Sequence, residues 1–305
     1  MNTTSTIVEE YLSYCELQKK LDIKTIKAYR SDLSQFFYYF NISPQNVSSN
    51  TIESYLILLH QKYKPKTAKR KLASIKSFLK YLEYKNYIYT SPFRHICTRF
   101  REPITLPRVI PLNTVAHLLE TMYHQETLSL TPHQKQLLYR DIAIVELLFS
   151  TGIRISELCS LKKTNINLSE RTIIIYGKGA KERLLQIPNE NVYHALMKYV
   201  DIYKSELALS EFFFIGCGNA PISDQIVRRM IHKYCTLASI PQHITPHMFR
   251  HTFATSLLEA DVDIRYIQEM LGHSSIHITE IYTHVSTKKQ REILEQKHPR
   301  NFMKI

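Results

Sequence analysis

The first hundred residues carry apolar side chains at the spacing of amphipathic helices. Residues 51–60 show a short stretch of this pattern, and Pro65 opens a longer one in which charged residues lie between the apolar ones. Such spacing predicts helices that bury one face. The clearest stretch is 25–40, with apolar positions at Ile26, Tyr29, Leu33, Phe36, Phe37 and Phe40.

Four tyrosines, Tyr81, Tyr84, Tyr87 and Tyr89, follow one another closely at the end of the third stretch. Tyrosines in such a cluster can stack on nucleic-acid bases. More often, however, they pack at the edge of a core and keep the hydroxyl group in water. We therefore expect all four to belong to the core of the first part of the chain.

Beyond residue 110 the pattern mixes helices with one pair of strands. Residues 113–124 and 134–150 have helical spacing. The β-branched run 171–176 is followed by a glycine-containing turn at 177–180 and a second apolar run at 183–187, which together predict a hairpin. The chain is therefore expected to be mainly α, with a small antiparallel β-sheet in its second part.

Three prolines at 103, 107 and 111 separate the two parts. Proline removes a backbone donor and favours an extended conformation in the residue before it. We therefore predict a helical domain over 1–98, a linker over 99–110 and a second domain over 111–305.

The charge of the chain is strongly basic and unevenly distributed. Its 305 residues include 40 Lys and Arg against 27 Asp and Glu, a formal charge of +13, of which +9 falls in residues 1–105. A basic domain of this kind most often faces a polyanion. Charge alone does not separate DNA from RNA or an anionic membrane, and a solvated lysine-rich surface is the other interpretation.

Glycine and cysteine usage excludes several classes of protein. The six glycines all lie beyond residue 151 and form neither a dinucleotide-binding fingerprint nor a P-loop. The five cysteines are scattered without a C-x-x-C pair, which argues against a disulfide framework or a thiolate zinc site. No stretch approaches the roughly 18 apolar residues of a membrane span. We expect a cytoplasmic protein with no membrane partner.

Short segments of the second part carry polar side chains suited to phosphate. Arg154 follows a glycine that can end a helix, so it lies at the start of the next helix beside unpaired backbone N–H groups. Lys178 lies at the tip of the predicted hairpin. Each candidate alone also has an ordinary explanation, such as an ion pair or a helix cap. The other candidates are His247 with Arg250, three residues apart, and His273 with Tyr282, nine residues apart.

A series of histidines at 243, 247 and 251 raises the alternative of a zinc site, since two histidines four residues apart on a helix can share one metal ion. The glutamate base of a metalloprotease is missing between them, and Arg250 places a fixed cation among the supposed ligands. We therefore predict no metal and no cofactor.

Four motifs, TGIRISEL, GKGAKER, HMFRHTFAT and LGHSSIHITEIYTHV, occur in this order along the chain. In sequence and spacing they resemble the motifs of tyrosine site-specific recombinases of the Xer type, to which the phage and transposon integrases are closely related. The departures are small: Phe249 stands where leucine is usual, and Gln186 where many members have proline. The resemblance implies a two-domain DNA clamp, with a helical SAM-like core-binding domain at 1–98 and a catalytic domain at 111–305.

The resemblance also implies roles for three groups that move protons or form bonds. Tyr282 would be the nucleophile, giving a 3′-phosphotyrosyl link and a free 5′-hydroxyl. Lys178 would protonate the 5′-oxygen, and His247 would assist proton transfer at the tyrosine. Because the ester energy is stored in the protein link, no ATP is needed.

The remaining site residues implied by the resemblance hold the phosphate. Arg154 and Arg250 would grip the non-bridging oxygens, His273 would hydrogen-bond the phosphate, and Glu157 would orient this array. Guanidinium groups match the geometry of a phosphoryl group in two-point contacts, so two arginines and a histidine can replace a metal ion.

The implied partner is a double-stranded DNA recombination site. Strand exchange would pass through a Holliday junction in a homotetramer, or in a heterotetramer with a related recombinase, on nucleoid DNA. The tail 287–305 would pack into a neighbouring protomer. The candidate DNA contacts are basic residues of the first domain, namely Lys24, Lys27, Arg30, Lys66, Lys69, Arg70 and Lys76.

Several functions stay open at this point. An Xer-like enzyme would serve chromosome dimer resolution or the integration and excision of a mobile element. A phage or conjugative-transposon integrase is the main alternative, although the helical domain begins near residue 7 and leaves no room for an added arm-binding domain. A type IB topoisomerase and a catalytically silent DNA-binding protein are the less favoured alternatives.

Overall fold

A computed structural model describes residues 3–96, 98, 107–177, 182–187 and 189–272. The chain divides into two units, Met1–Ile104 and Thr105–Ile305. Of the predicted 99–110 linker, residues 107–110 are described, and they belong to the second unit. There the backbone N–H of Ile110 donates to Thr252 Oγ1 at 2.8 Å, and the Ile110 side chain is buried.

The first unit is a helical bundle. Capping residues explain where three of its helices begin. The Asp22 carboxylate accepts from the Lys24 N–H at 2.7 Å at the start of one helix, and Ser48 and Thr51 form a reciprocal capping box at the start of another. Pro65 is the first residue of the last helix. The helices are α1 (Thr3–Leu17), α2 (Ile23–Phe40), α3 (Ser49–Lys62) and α4 (Pro65–Tyr84), with 3-10 turns at Pro44–Asn46 and Pro92–His95.

A buried carboxylate joins α2 to α4. Asp32 accepts hydrogen bonds from Arg70 Nη2 at 3.0 Å, Lys71 Nζ at 3.1 Å and Ser74 Oγ at 2.8 Å. A buried charge is tolerated only when it is paired and hydrogen-bonded, and Asp32 has both kinds of partner. Lys71 is consequently buried, which the helical pattern of the sequence did not reveal.

The expectation for the tyrosine cluster is right for only one member. Tyr81 is buried, whereas Tyr84, Tyr87 and Tyr89 are exposed. Tyr84 is the last residue of α4, and Tyr87 and Tyr89 follow it in a turn from which Ile88, and not the tyrosines, packs against the core. Tyr87 instead donates from its hydroxyl to a carboxylate oxygen of Glu10 at 3.0 Å.

The second unit confirms the expected class, mainly helical with a small antiparallel sheet. The sheet has the order β1-β2-β3, and the predicted hairpin pairs Thr172 with Gln186 and Tyr176 with Glu182. The two-residue strand β1 was not predicted, because it is too short for an alternating pattern. The elements are α5 (Leu112–His124), α6 (Pro132–Thr151), α7 (Ile155–Cys159), β1 (Ile166–Asn167), β2 (Thr172–Tyr176), β3 (Glu182–Gln186), α8 (Glu190–Ile202), α9 (Lys204–Leu209), α10 (Asp224–Leu237), α11 (Pro246–Glu259) and α12 (Ile264–Leu271).

Helix α6 is the central element of the second unit, since nearly every residue from Leu138 to Leu148 is buried. It packs against α5, α8 and α11. Even its charged residues lie inside: Arg140 Nη2 donates to Asp141 Oδ1 at 2.8 Å, and Tyr234 donates to Asp141 Oδ2 at 3.3 Å. The end of α6 is therefore a rigid starting point for the residues that follow it. No described helix is long and apolar enough to cross a membrane.

Gly152 ends α6 in a left-handed conformation with φ of 60°. A Cβ atom at this position would lie 2.7 Å from Phe253 Cδ1 and 3.0 Å from Leu271 Cδ2. Glycine is therefore required twice, for the backbone conformation and for the close approach of α11 and α12. Gly152 ends α6 only two residues before Arg154, the N-cap residue of α7.

We predict that Gly152→Ala destabilises the second unit more than Gly218→Ala does. Both glycines have a positive φ, which costs an L-residue about 1–2 kcal/mol. A Cβ at Gly218 meets nothing within 4 Å, whereas one at Gly152 overlaps Phe253. Such overpacking typically adds about 1–3 kcal/mol. Calorimetric unfolding of both variants measures the difference, and equal losses would contradict the packing argument.

Candidate active site

The structure describes four of the seven predicted site residues: Arg154, Glu157, His247 and Arg250. The other three, Lys178, His273 and Tyr282, lie outside the described residues. Arg154 and Glu157 come from α7 and the turn before it, and His247 and Arg250 come from α11. The contacts of Arg154 and Arg250 meet at the end of α12.

Arg154 lies at the N-terminus of α7, as the sequence predicted. Its backbone N–H donates to Glu157 Oε2 at 3.0 Å, and its Nη1 donates to Glu157 Oε1 at 2.7 Å. Its Nη2 donates to the Gly272 carbonyl at 3.1 Å. The side chain is nevertheless 32% exposed, so the guanidinium group is held in place while part of it still faces solvent.

Arg250 lies in the second turn of α11 and is only 4% exposed. Its Nη1 donates to the Gly152 carbonyl at 2.7 Å, and its Nη2 donates to the Leu271 carbonyl at 2.6 Å. It thus joins the end of α6 to the end of α12. Gly152 lies only two residues before Arg154 in the chain. The bond from Arg250 to the Gly152 carbonyl therefore holds the two predicted phosphate ligands close together.

A third arginine, Arg183, belongs to this cluster and was not among the predicted site residues. It lies in β3 with its side chain 7% exposed. Its Nη2 and Nη1 donate to the two oxygens of Glu157 at 2.6 and 3.1 Å, and its Nε donates to the Met270 carbonyl at 2.9 Å. The sequence did carry a signal, since Arg183 lies two residues before the buried Leu185 and so shares the inward face of the strand with it.

The end of α12 is therefore bound by three guanidinium groups. The last carbonyls of a helix have no partner within it, and they carry partial negative charge, so cations are favoured there. The pairs are Met270 with Arg183, Leu271 with Arg250, and Gly272 with Arg154. These three bonds therefore hold the backbone of residues 270–272, which directly precede His273 in the chain.

Glu157 is a buried carboxylate shared by two arginines. Burial alone would raise its pKa, but the hydrogen bonds and charge of Arg183, and then those of Arg154, hold the pKa of Glu157 below its ordinary value. The group is therefore ionised at neutral pH. One negative charge thus holds two guanidinium cations in a fixed arrangement.

His247 lies one turn before Arg250 on α11. Partial desolvation of its ring lowers the pKa of His247, and the positive charges of Arg228, Arg250 and Arg154 lower it further, against a smaller opposite effect of Asp224. The imidazole is therefore neutral at pH 7. A neutral imidazole can accept a proton, which a histidinium ion cannot.

Two members of the histidine series, His247 and His251, lie on α11, and His243 precedes the helix. Burial and the charges of His247 and Arg250 lower the pKa of His251 to about 4. Within the described ranges, no group of three or more His, Cys, Asp or Glu side chains could hold a metal ion. The described part of the site is cationic and suited to an anion.

The predicted DNA contacts of the first unit are all exposed residues on α2 and α4. Two of them also make ion pairs within the unit, Arg30 with Glu9 and Arg70 with Asp32. Lys76 lies over the Phe93 ring, with its Nζ 5.8 Å from the ring centroid. The surface can therefore meet a polyanion, although part of the charge of its arginines is already paired.

Comparison with known proteins places this architecture in a family. Residues 120–289 match the phage integrase family, and residues 8–86 match the phage integrase N-terminal SAM-like domain. A tyrosine recombinase of Agathobacter rectalis is 58% identical over 98% of both chains. Tyrosine recombinase XerC of Thermodesulfovibrio yellowstonii is 35% identical, again over 98% of both chains.

A solved structure shares the fold. The XerH site-specific recombinase, in a post-cleavage complex with a palindromic difH substrate, superposes with a TM-score of 0.75 at 20% identity, over 95% of this chain and 83% of that one. The chain therefore belongs to the phage integrase family, the tyrosine recombinases. Enzymes of this family cleave DNA strands and rejoin them.

We predict that His247 titrates below the ordinary histidine pKa of about 6.5 and that Arg228→Gln raises its pKa. The substitution removes the largest of the positive-charge effects on His247, so protonation of the ring becomes less costly. Arg229→Gln is the matched control, since the neighbouring arginine is also exposed but is not among the main causes that lower the pKa of His247. Histidine NMR titration measures all three proteins. Equal shifts in both variants would contradict the electrostatic account.

Proposed function

We propose that this protein is a site-specific DNA recombinase that cuts one strand of its site with Tyr282 and rejoins it to a partner strand. The observation that supports this best is the convergence of Arg154 and Arg250 on the end of α12, with the neutral His247 one turn away. Two fixed guanidinium groups at one place suit a phosphodiester.

In the proposed cleavage step, the Tyr282 oxygen forms a bond to the scissile phosphorus as the bond from phosphorus to the 5′-oxygen breaks. The tyrosine proton is lost towards His247, and the leaving 5′-oxygen gains a proton from Lys178. The product is a 3′-phosphotyrosyl link and a free 5′-hydroxyl. The number of ester bonds does not change, so the reverse step can rejoin DNA without an external energy source.

Stabilisation of negative charge is the main task of the site. Charge develops on the equatorial oxygens of the phosphate in the transition state, and donors that are already in place stabilise it without reorganisation. Arg154 and Arg250 supply such donors, and Glu157 keeps Arg154 oriented. His273 would complete the contacts to the phosphate from the residue that follows Gly272.

Neutral His247 suits a general base. Tyrosine hydroxyls ordinarily have a pKa of about 10, so the nucleophile needs help with its proton at neutral pH. The cations around His247 lower its pKa and so keep it ready to accept that proton. The same cations would favour the phenolate form of a tyrosine brought beside them.

The proposed substrate is double-stranded DNA held by both units as a clamp. The excess positive charge of residues 1–105 and the exposed lysines of α2 and α4 support a phosphate-binding surface there. Strand exchange through a Holliday junction would need four protomers, either identical or shared with a related recombinase. The tail 287–305 would join neighbouring protomers, and the enzyme would act in the cytoplasm on nucleoid DNA.

Two biological roles fit this chemistry. The similarity to Xer-type recombinases over nearly the whole chain favours chromosome dimer resolution or the movement of a small element. The match to the phage integrase family also suits an integrase of a phage or conjugative transposon. The site residues described above serve both roles equally.

We predict that Tyr282→Phe abolishes the covalent adduct. A nicked duplex carrying the recombination site, identified by sequencing DNA trapped on the wild-type chain, should yield an SDS-stable complex with wild type. The phenylalanine variant lacks the attacking oxygen and should yield none. Tyr266→Phe is the matched control, because Tyr266 is an exposed tyrosine of α12 outside the proposed chemistry, and it should react normally.

Each other outcome has a defined meaning. An adduct that persists in Tyr282→Phe would overturn the assignment of the nucleophile. Relaxation of supercoiled plasmid that lacks the site would indicate a topoisomerase instead. Binding without any adduct in wild type would indicate a DNA-binding protein that has lost its chemistry.

We further predict that replacing Lys27 and Lys66 by glutamine weakens DNA binding and its salt dependence. Each lost phosphate contact should reduce the slope of log affinity against log salt by about 0.9. Lys19→Gln is the control for charge alone, since the Lys19 ammonium lies over the Tyr14 ring. Fluorescence anisotropy over a series of salt concentrations measures the slopes. Equal slopes for the double variant and wild type would contradict this surface assignment.

A further inference from the structure

Arg183 is a buried cation that none of the predicted roles requires. It points inward from β3, on the same face as the buried Leu185, while Glu182 and Leu184 point outward. Burying a guanidinium group is costly unless its donors are used, and Arg183 places three of them on Glu157 and Met270. Because burial of the Arg183 guanidinium group is costly, we expect this residue to have a functional role.

The partners of Arg183 belong to the segments that carry the proposed phosphate ligands. Glu157 is the carboxylate that holds Arg154 through both its backbone N–H and its Nη1. Met270 is in the last turn of α12, three residues before His273 in the chain. Arg183 itself follows Lys178 by five residues. One guanidinium group therefore links three stretches of the site.

Close packing also places Arg183 against Gly272. A Cβ on Gly272 would lie 2.8 Å from Arg183 Nη1 and 3.1 Å from its Cδ, and the residue has a φ of 62°. Glycine is thus favoured here by its backbone conformation and by the close approach of Arg183 to the end of α12. The Gly272 carbonyl accepts from Arg154 on the same turn of chain.

The positive charge of Arg183 determines the net charge of the group that it forms with Glu157 and Arg154. A single carboxylate paired with a single arginine would leave no net charge for a phosphate. With Arg183 as a second partner, the group of three keeps one positive charge, and Arg183 is also the main cause that lowers the pKa of Glu157. Glu157 can then orient Arg154 without cancelling its charge.

We infer that Arg183 is a positioning residue for DNA cleavage, which acts through Glu157 to fix Arg154 at the scissile phosphate. This inference rests on the proposed function. From β3, Arg183 would hold both Arg154, through Glu157, and the end of α12, through Met270, in one fixed geometry. A misplacement of about 1 Å at a reacting group can cost about 100-fold in rate, so the effect should appear in the chemical step.

The test is single-turnover cleavage of the nicked duplex by Arg183→Ala and Arg183→Lys. We expect Arg183→Ala to cleave about 100-fold more slowly than wild type with little change in DNA affinity. Arg183→Lys keeps the charge but loses the two-point contact with Glu157, so it should recover part of the rate. Arg171→Ala is the matched control, because Arg171 makes a similar two-point pair with Glu190 away from the site and should cleave normally.

A second substrate separates positioning from a loss of stability. A methylphosphonate at the scissile position lacks the negative charge of the phosphodiester. Its cleavage therefore depends less on a correctly placed Arg154. The defect of Arg183→Ala should therefore shrink by about tenfold on one of its two diastereomers. In a Glu157→Gln background, Arg183→Ala should add little further loss, because the carboxylate through which it acts is gone.

Three results would overturn the inference. Cleavage by Arg183→Ala at the wild-type rate would remove the positioning role. An equal defect on both substrates together with a lower melting temperature would indicate a purely structural residue. Additive losses with Glu157→Gln would show that Arg183 does not act through Glu157. Failure of wild type to form an adduct would instead overturn the proposed function itself.

Discussion

The binding of the α12 carbonyls by three guanidinium groups is the interaction on which the rest of the site depends. Arg154, Arg183 and Arg250 reach it from three separate elements, and each uses part of its side chain to hold backbone. A guanidinium group has five donors, so it can bond a carbonyl and a phosphate oxygen together. Arg154 and Arg250 can thus support the fold and bind the substrate.

This arrangement explains why the two glycines beside the site are needed. Gly152 lets α6 end where Phe253 and Leu271 approach, and Gly272 lets Arg183 lie against the end of α12. Both adopt positive φ values, which glycine tolerates without strain. Backbone freedom and charge therefore combine at one place, in a chain whose first 151 residues contain no glycine at all.

Local features of the site were predictable from sequence, whereas long-range ones were not. The helix end at Gly152 and the position of Arg154 follow from neighbouring residues, so the sequence sufficed for them. Arg183 bonds residues 26 and 87 positions away, and its role became visible only in the folded chain. The burial of Lys71 depends in the same way on Asp32, 39 positions away, and the exposure of Tyr87 depends on where α4 ends.

In the proposed site, Arg154 and Arg250 bind one phosphate while they still hold the end of α12. A crystal structure of the chain with tungstate, a stable mimic of the phosphoryl group, tests this directly. We expect one anion within hydrogen-bond distance of both arginines, with their bonds to the Gly272 and Leu271 carbonyls retained. An anion bound elsewhere, or arginines that leave those carbonyls to reach it, would contradict the account.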